Sequence, residues 1–245
     1  MVSCEKETMT FTNKVMVKGL VESWMKNVLL EMWTSNAYLV KKSIFDYGNT
    51  RKSRCKWMLD HQGQMCLAAN GVWWTAEVEN VFSELAKGDN YAMKDYLETL
   101  NNQLNELVIQ VRGDLTANDR KKFNTVLIVD VHARDVIENF VRDGIVKSHN
   151  FEWESQLRFY WKKEVDNLIV IQCSGTFAYG YEYMGLNGRL VITPLTDKIY
   201  LTITLALSMQ LGCAPAGPAG TGKTETVKDL AKALGILCMV TNCGE

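Results

Sequence analysis

The stretch GPAGTGKTETVKDLAKAL, Gly217 to Leu234, carries the pattern G-x-x-x-x-G-K-T and runs directly into residues of good helix propensity. Gly217, Gly220 and Gly222 allow backbone conformations that a side chain would forbid, so successive N–H groups can converge on phosphate oxygens. Lys223 then reaches the terminal phosphates, the Thr224 hydroxyl is placed to coordinate Mg²⁺, and the helix from Glu225 onward presents its positive end to the anion. The candidate nucleotide cradle is therefore Gly217, Pro218, Ala219, Gly220, Thr221, Gly222, Lys223, Thr224 and Glu225, with ATP and Mg²⁺ as its ligands. Its position is unusual, because the sequence given stops at Glu245. The flanks predict a short strand at CAPA, Cys213–Ala216, and a better buried strand from Ile236 to Val240.

The rest of the chain reads differently. All 3 prolines lie in the last quarter and all 7 tryptophans precede it. Val21, Trp24, Met25, Val28 and Met32 recur at helical spacing and predict an apolar helix face. A second helix is expected from an N-cap at Thr75, with Glu77 and Glu79 in its first turn, a stripe of Val78, Val81, Phe82 and Leu85, and a stop at Gly88. Met93, Leu97, Leu100, Leu104, Leu107 and Val111 form a heptad seam, too short for an extended coiled coil and suited to one helix of an antiparallel bundle. A fourth helix is expected from Asp119 to Asp143, with Phe123, Val126, Leu127, Ile137, Phe140 and Val141 inward and Gly144 at its end.

From Asn167 the period changes. NLIVIQC predicts a buried strand, and FAYGYEYMG with RLVIT predicts two strands joined by a turn at Asn187-Gly188. A helix is expected after Pro194, with Thr196 as N-cap and Gly212 closing it. The predicted fold class is mainly α: a helical bundle, a small β-ribbon, and the incomplete start of an α/β P-loop domain.

Composition excludes several alternatives. With 27 basic and 28 acidic side chains, no global field points to nucleic acid or an anionic membrane, and neither is expected as a partner. Arg51, Lys52, Arg54 and Lys56 read as a solvated helix face. The 7 cysteines lack C-x-x-C pairing and only 3 histidines accompany them, which predicts reduced thiols packed as small apolar groups in a soluble, cytoplasmic chain. No apolar signal core or membrane-length run is present.

Hydrolysis needs an acid on a strand beside the loop, and VLIVD, Val126 to Asp130, offers one. It lies upstream of the loop, and Phe123, Ile137 and Phe140 continue a helical stripe through it, so it is expected to be helix. Asp130, His132 and Asp135 in DVHARD are then not a metal cluster, and Asp130 is expected to pair with Arg134 on a polar face. Glu152 and Glu154 read as helix-start charges. No complete catalytic set is expected in this chain. A stand-alone P-loop ATPase or kinase would need Asp130 on a strand at the loop, and a non-enzymatic helical scaffold with a vestigial loop is the third alternative.

The loop, the segment RLVITPLTDKIYLTITLALSM, the FEWESQLRFYW, FAYGYEYMG, DVHARD and NGVWWTAEVENVF stretches together resemble dynein heavy chains. The resembling region is where the linker passes into the first AAA+ module, and the tail CMVTNCGE is more similar to axonemal members. The resemblance implies residues 1–188 as the C-terminal portion of a helical linker and 189–245 as the start of the first ATP-binding module. It implies Val191, Ile192, Pro194, Leu195 and Thr196 as the adenine side of the site. It also implies a parent motor that swings its linker on ATP hydrolysis, working with microtubules, the rest of the AAA+ ring, and intermediate, light-intermediate and light chains, in the cytoskeleton of the cilium or flagellum axoneme. Lys198, Leu205 and Cys213 stand where the family commonly carries Arg, Gln and Gly. The acidic strand, sensors, arginine finger, stalk and microtubule-binding tip are missing, so a fragment is expected, incompetent in hydrolysis by itself.

Overall fold

In the computed structural model, which describes residues 1–49, 53–186 and 188–242, the heptad seam becomes α4, Ala92–Arg112. Met93, Leu100, Leu104 and Leu107 are buried, and Leu97 and Val111 pack at the margin. The face fits antiparallel neighbours: α4 packs on α5, Ala117–Asp143, and on α3, Gly63–Ala86. Thr116 caps α5 by accepting from the Asp119 amide at 3.1 Å, and Gly144 ends it in the left-handed region. Two apolar clusters fill the bundle. One gathers Val78, Phe82, Tyr96, Leu100, Ile137 and Phe140 around Trp153 of the short helix α6, Phe151–Glu154. The other joins Trp57 and Met58 of α2, Arg54–Asp60, to Cys66, Leu107, Phe123 and Val126.

Several expectations change here. The second helix begins at Gly63, not at Thr75. Thr75 lies in the middle of α3, where its Oγ1 donates to Gly71 O at 2.8 Å and accepts from the Phe159 amide at 2.9 Å. Burial of Met65, Cys66, Ala68 and Ala69 carries the helix through the Asn70-Gly71 pair, which as local sequence punctuates a chain. The first helix, α1, runs from Val21 to Asn49, and its buried positions, Met32, Ser35, Asn36, Val40 and Ser43, begin only after its first three turns. Val21 and Met25 are exposed and Trp24 and Val28 half-buried, so of the expected apolar stripe only Met32 enters the core. Among the described cysteines only Cys55 and Cys66 are buried, and Cys243 lies outside the described residues.

Arg54 is no solvated cation. Its side chain and that of Asp130 are each 9% exposed, and they form an ion pair at 2.6 Å between α2 and α5. Asn70 of α3 donates to the same carboxylate at 2.9 Å. Asp130 therefore serves the bundle interior, and Arg134 pairs with its neighbour Asp135 instead. Because VLIVD is the middle of α5, no acidic strand forms there. Arg51 and Lys52 lie outside the described residues.

The β-ribbon has three antiparallel strands in the order β1 (Arg158–Lys162), β2 (Asn167–Gln172) and β3 (Gly175–Ala178). Arg158 pairs with Ile171, and Val170 with Phe177. Leu168 and Val170 of the central strand are fully buried against Val40, Met65, Tyr200, Ile203, Leu230 and Leu234. The two strands expected from FAYGYEYMG and RLVIT do not pair with each other, and Asn187 of the expected turn lies outside the described residues. Side chains take the backbone groups that a ladder would use. Asn36 donates to Tyr181 O at 2.7 Å, Gln64 donates to Glu182 O at 2.7 Å, and the Leu190 amide donates to Asp229 at 3.1 Å.

The last two helices are α7, Pro194–Ser208, and α8, Lys223–Leu234. Thr193, not Thr196, is the N-cap of α7; Thr196 is its partner three residues on in a reciprocal capping box, with Pro194 at the first helical position. The helix ends at Ser208, before Gly212. Neither CAPA nor 236–240 is a strand. Met239 is 82% exposed and Leu237 61%, since no strand lies beside either segment among the described residues to complete a sheet.

Candidate nucleotide site

The loop from Gly217 to Gly222 leads into α8. Gly217, Gly220 and Gly222 take φ of 154°, 75° and 79°, a region that strongly favours glycine, and Gly222 forms the cap of the helix in the left-handed conformation. Lys223 folds its ammonium back over the loop. Its Nζ donates to Gly217 O at 2.8 Å, to Pro218 O, and to Thr221 Oγ1 at 3.3 Å. Thr221 Oγ1 in turn donates to Pro218 O at 2.9 Å. Thr224 and Glu225 are exposed in the first turn, and Thr226 Oγ1 donates to Gly222 O at 2.9 Å, firming that turn. The loop thus offers a flexible ammonium, a hydroxyl and a helix N-terminus at one place.

Beside it opens a cleft of about 540 Å³, within the range of small-molecule sites. One wall is the loop with Cys213–Pro218 and Thr221, Lys223 and Thr226. The other is one face of α7, where Leu195, Lys198, Ile199, Thr202 and Ile203 follow each other at helical spacing. Of the residues expected on the adenine side, only Leu195 reaches this cleft. Val191 is 68% exposed, and Pro194 and Thr196 are spent on the cap of α7. Ile192 lines a separate cavity of about 70 Å³, with Trp74, His132, Gln156 and Asp197. Ile199, Thr202 and Ile203 of the α7 face are not among the residues the sequence singles out, although the face follows an i, i+3, i+4 pattern. The departures Lys198 and Cys213 both line the cleft, whereas Leu205 is 42% exposed outside it.

A buried polar cluster supports both walls. Arg189 and Asp229 have side chains 9% and 1% exposed and meet at 3.0 Å. The Tyr200 hydroxyl donates to the same carboxylate at 2.5 Å. Burial alone would lower the Arg189 pKa, but the Asp229 charge and its hydrogen bonds leave it raised; burial first, then the Asp229 charge, raises that of Tyr200. Near the start of α7, His132 Nε2 lies 3.6 Å from Asp197. Burial holds the His132 pKa below its ordinary value and raises that of Asp197, each opposed by the other's charge.

Comparison with known proteins bears out the resemblance. A family model described as the hydrolytic ATP-binding site of the dynein motor region matches residues 179–245. Over all 245 residues the chain is 60% identical to human dynein axonemal heavy chain 10 and covers 6% of that protein. It is 53% identical to the dynein-1-alpha heavy chain of the flagellar inner arm I1 complex of Chlamydomonas reinhardtii, covering 5% of it. It is 42% identical to a ciliary dynein beta chain of Tripneustes gratilla, again covering 5%. In each case the whole of this chain is matched, so it is similar end to end to one short segment of a far longer protein.

Proposed function

We propose that this chain is the linker-to-ring junction of an axonemal dynein heavy chain, in which residues 217–225 cradle the phosphates of ATP. The observation that carries the reading is one place in the structure. Three glycines in the left-handed region, Lys223 over the loop and the N-terminus of α8 all border a cleft of nucleotide size. ATP supplies a phosphoanhydride whose cleavage can drive a conformational cycle, and Mg²⁺ held by the Thr224 hydroxyl would neutralise the charge that develops on the phosphates. On this reading the Lys223 ammonium leaves the carbonyls of Gly217 and Pro218 for phosphate oxygens, a charge-assisted exchange for neutral acceptors. The loop N–H groups and the α8 dipole would hold the remaining charge, and the exposed Thr224 hydroxyl would hold Mg²⁺. Leu195, Ile199 and Ile203 give the base an apolar wall, with Lys198 at its side.

The division at 188/189 into linker and ring module belongs to the same proposal, as do microtubules, the ring and the smaller dynein chains as partners. The axonemal, flagellar and ciliary names of the relatives support a place in the axoneme. Asp130 takes no part in nucleotide chemistry, because it is locked to Arg54 and Asn70 in the bundle. The test is ATP-driven microtubule gliding by a heavy-chain motor carrying these residues. Lys223→Ala is expected to abolish gliding while the motor remains folded; gliding at the wild-type rate would refute the assignment.

A further inference from the structure

We propose that Tyr200, Asp229 and Arg189 form a tie that sets the spacing of the two walls of the nucleotide cleft, so that Asp229 and Tyr200 are positioning residues for ATP; this rests on the reading of the loop given above. The cleft lies between α7 and the loop that opens α8. Asp229 lies in the middle of α8, and its carboxylate is fully used. It accepts from Arg189 Nε at 3.0 and 3.1 Å, from the Leu190 amide at 3.1 Å, and from the Tyr200 hydroxyl at 2.5 Å. Tyr200 belongs to α7, between Ile199 and Thr202, which line the opposite wall. One hydrogen bond to one buried carboxylate therefore joins the wall that carries Leu195 and Lys198 to the helix that carries Lys223.

Beyond Asp229, α8 is held by Leu230 and Leu234, which pack in the core with Ile203, and by backbone bonds at its far end. The Gly180 amide donates to Leu234 O and the Glu182 amide to Gly235 O, both at 2.9 Å. These bonds anchor the C-terminal end of α8 just beyond β3, while the loop end stands in solvent. A helix of this length spans about 18 Å and moves as a rod. With its far end pinned, the Asp229–Tyr200 contact is where rotation of the rod relative to α7 would be resisted. The contact is buried and charge-assisted, so its loss leaves Asp229 with an unfilled acceptor site and frees the walls to separate.

The experiment compares two substitutions on α7 in the heavy-chain motor. Tyr200→Phe removes the hydroxyl and keeps the ring. Thr204→Val is the structural control, because Thr204 is buried on the same helix and donates to Gln172 at 2.8 Å, away from the cleft. With steady-state turnover measured at temperatures where all variants are folded, Tyr200→Phe is expected to raise KM for ATP about five- to twentyfold and to leave kcat within about twofold. Thr204→Val is expected to leave KM unchanged whatever it does to the unfolding temperature. Unchanged KM in Tyr200→Phe, or an equal rise in both variants, overturns the tie. If Lys223→Ala also left ATP turnover untouched, the loop assignment itself would fall and the tie with it; dependence on Lys223 without dependence on Tyr200 refutes the tie alone.

Discussion

Removing either member of the Arg54–Asp130 pair should be among the most destabilising changes available in the bundle. Both side chains are 9% exposed, and the carboxylate also accepts from Asn70. Burial by itself would lower the Arg54 pKa, yet the Asp130 charge and hydrogen bond leave it raised, so in the fold the guanidinium stays charged and depends on its partner. Arg54→Met leaves a buried carboxylate with Asn70 alone, and Asp130→Leu leaves a buried guanidinium. Each single change is expected to cost about 3–5 kcal/mol, because an ion has been left without compensation. The double change Arg54→Met with Asp130→Leu removes both charges and is expected to cost about 2 kcal/mol or less, so the cycle should show a coupling of at least about 3 kcal/mol. Urea unfolding followed by tryptophan fluorescence measures this, with single-variant midpoints falling by about 1 M or more. Singles that each cost under about 1 kcal/mol and simply add would mean that neither ion depends on the other. A milder variant serves a second purpose: in a motor, ATP turnover per folded molecule should survive Asp130→Asn, since Asp130 lies on α5 and not on a strand at the loop.

Three further outcomes follow from the packing and charge. Burial depresses the pKa of His61 and His132 below the ordinary 6.5, so the unfolded chain binds more protons near neutrality. Their contribution is present above pH 6.5 and lost as pH falls, by at most about 0.8 kcal/mol each at pH 6. The thermal midpoint should therefore drop between pH 7.5 and 6, less so in His132→Gln; the raised carboxylates Glu7, Glu77 and Asp197 act in the opposite sense nearer the carboxylate range. Gly235→Ala should destabilise by about 2 kcal/mol or more, because φ there is 64° and a Cβ would meet the Tyr179 ring at 2.5 Å; a neutral result in urea unfolding would contradict the close approach. Phe123→Ala, at a fully buried site between α2, α4 and α5, should cost about 3–5 kcal/mol by the same assay.

Much of this was legible in residues of strong local character. The seam from Met93 to Val111 and the stripe through Phe123, Ile137 and Phe140 are amphipathic by period, and the bundle they form buries those positions. The loop pattern was legible because its glycines must take conformations that other residues resist. What was illegible depends on partners distant in sequence. The Asn70-Gly71 pair lies inside α3 because Phe159 of β1 packs on Gly71 and Arg54 and Asp130 bond Asn70, and Arg54 is buried because Asp130 awaits it. The β1 strand hides in an aromatic run that local propensity does not separate from the preceding helix turn. FAYGYEYMG and RLVIT read as two strands, yet backbone groups of Tyr181, Glu182 and Leu190 are claimed by Asn36, Gln64 and Asp229, none of which is near them in sequence. The adenine-side residues were carried over by resemblance, and of them the fold brings only Leu195 to the cleft.

In the proposed dynein motor, residues 217–225 hold the phosphates of ATP. Backbone hydrogen exchange of that segment, followed in a heavy-chain motor with and without Mg-ATP, tests it most directly, because the cradle is made of backbone N–H groups. Exchange across Gly217 to Glu225 should slow on addition of nucleotide, and Lys223→Ala should abolish the effect. Unchanged exchange there, in a motor that is turning over ATP, would contradict it.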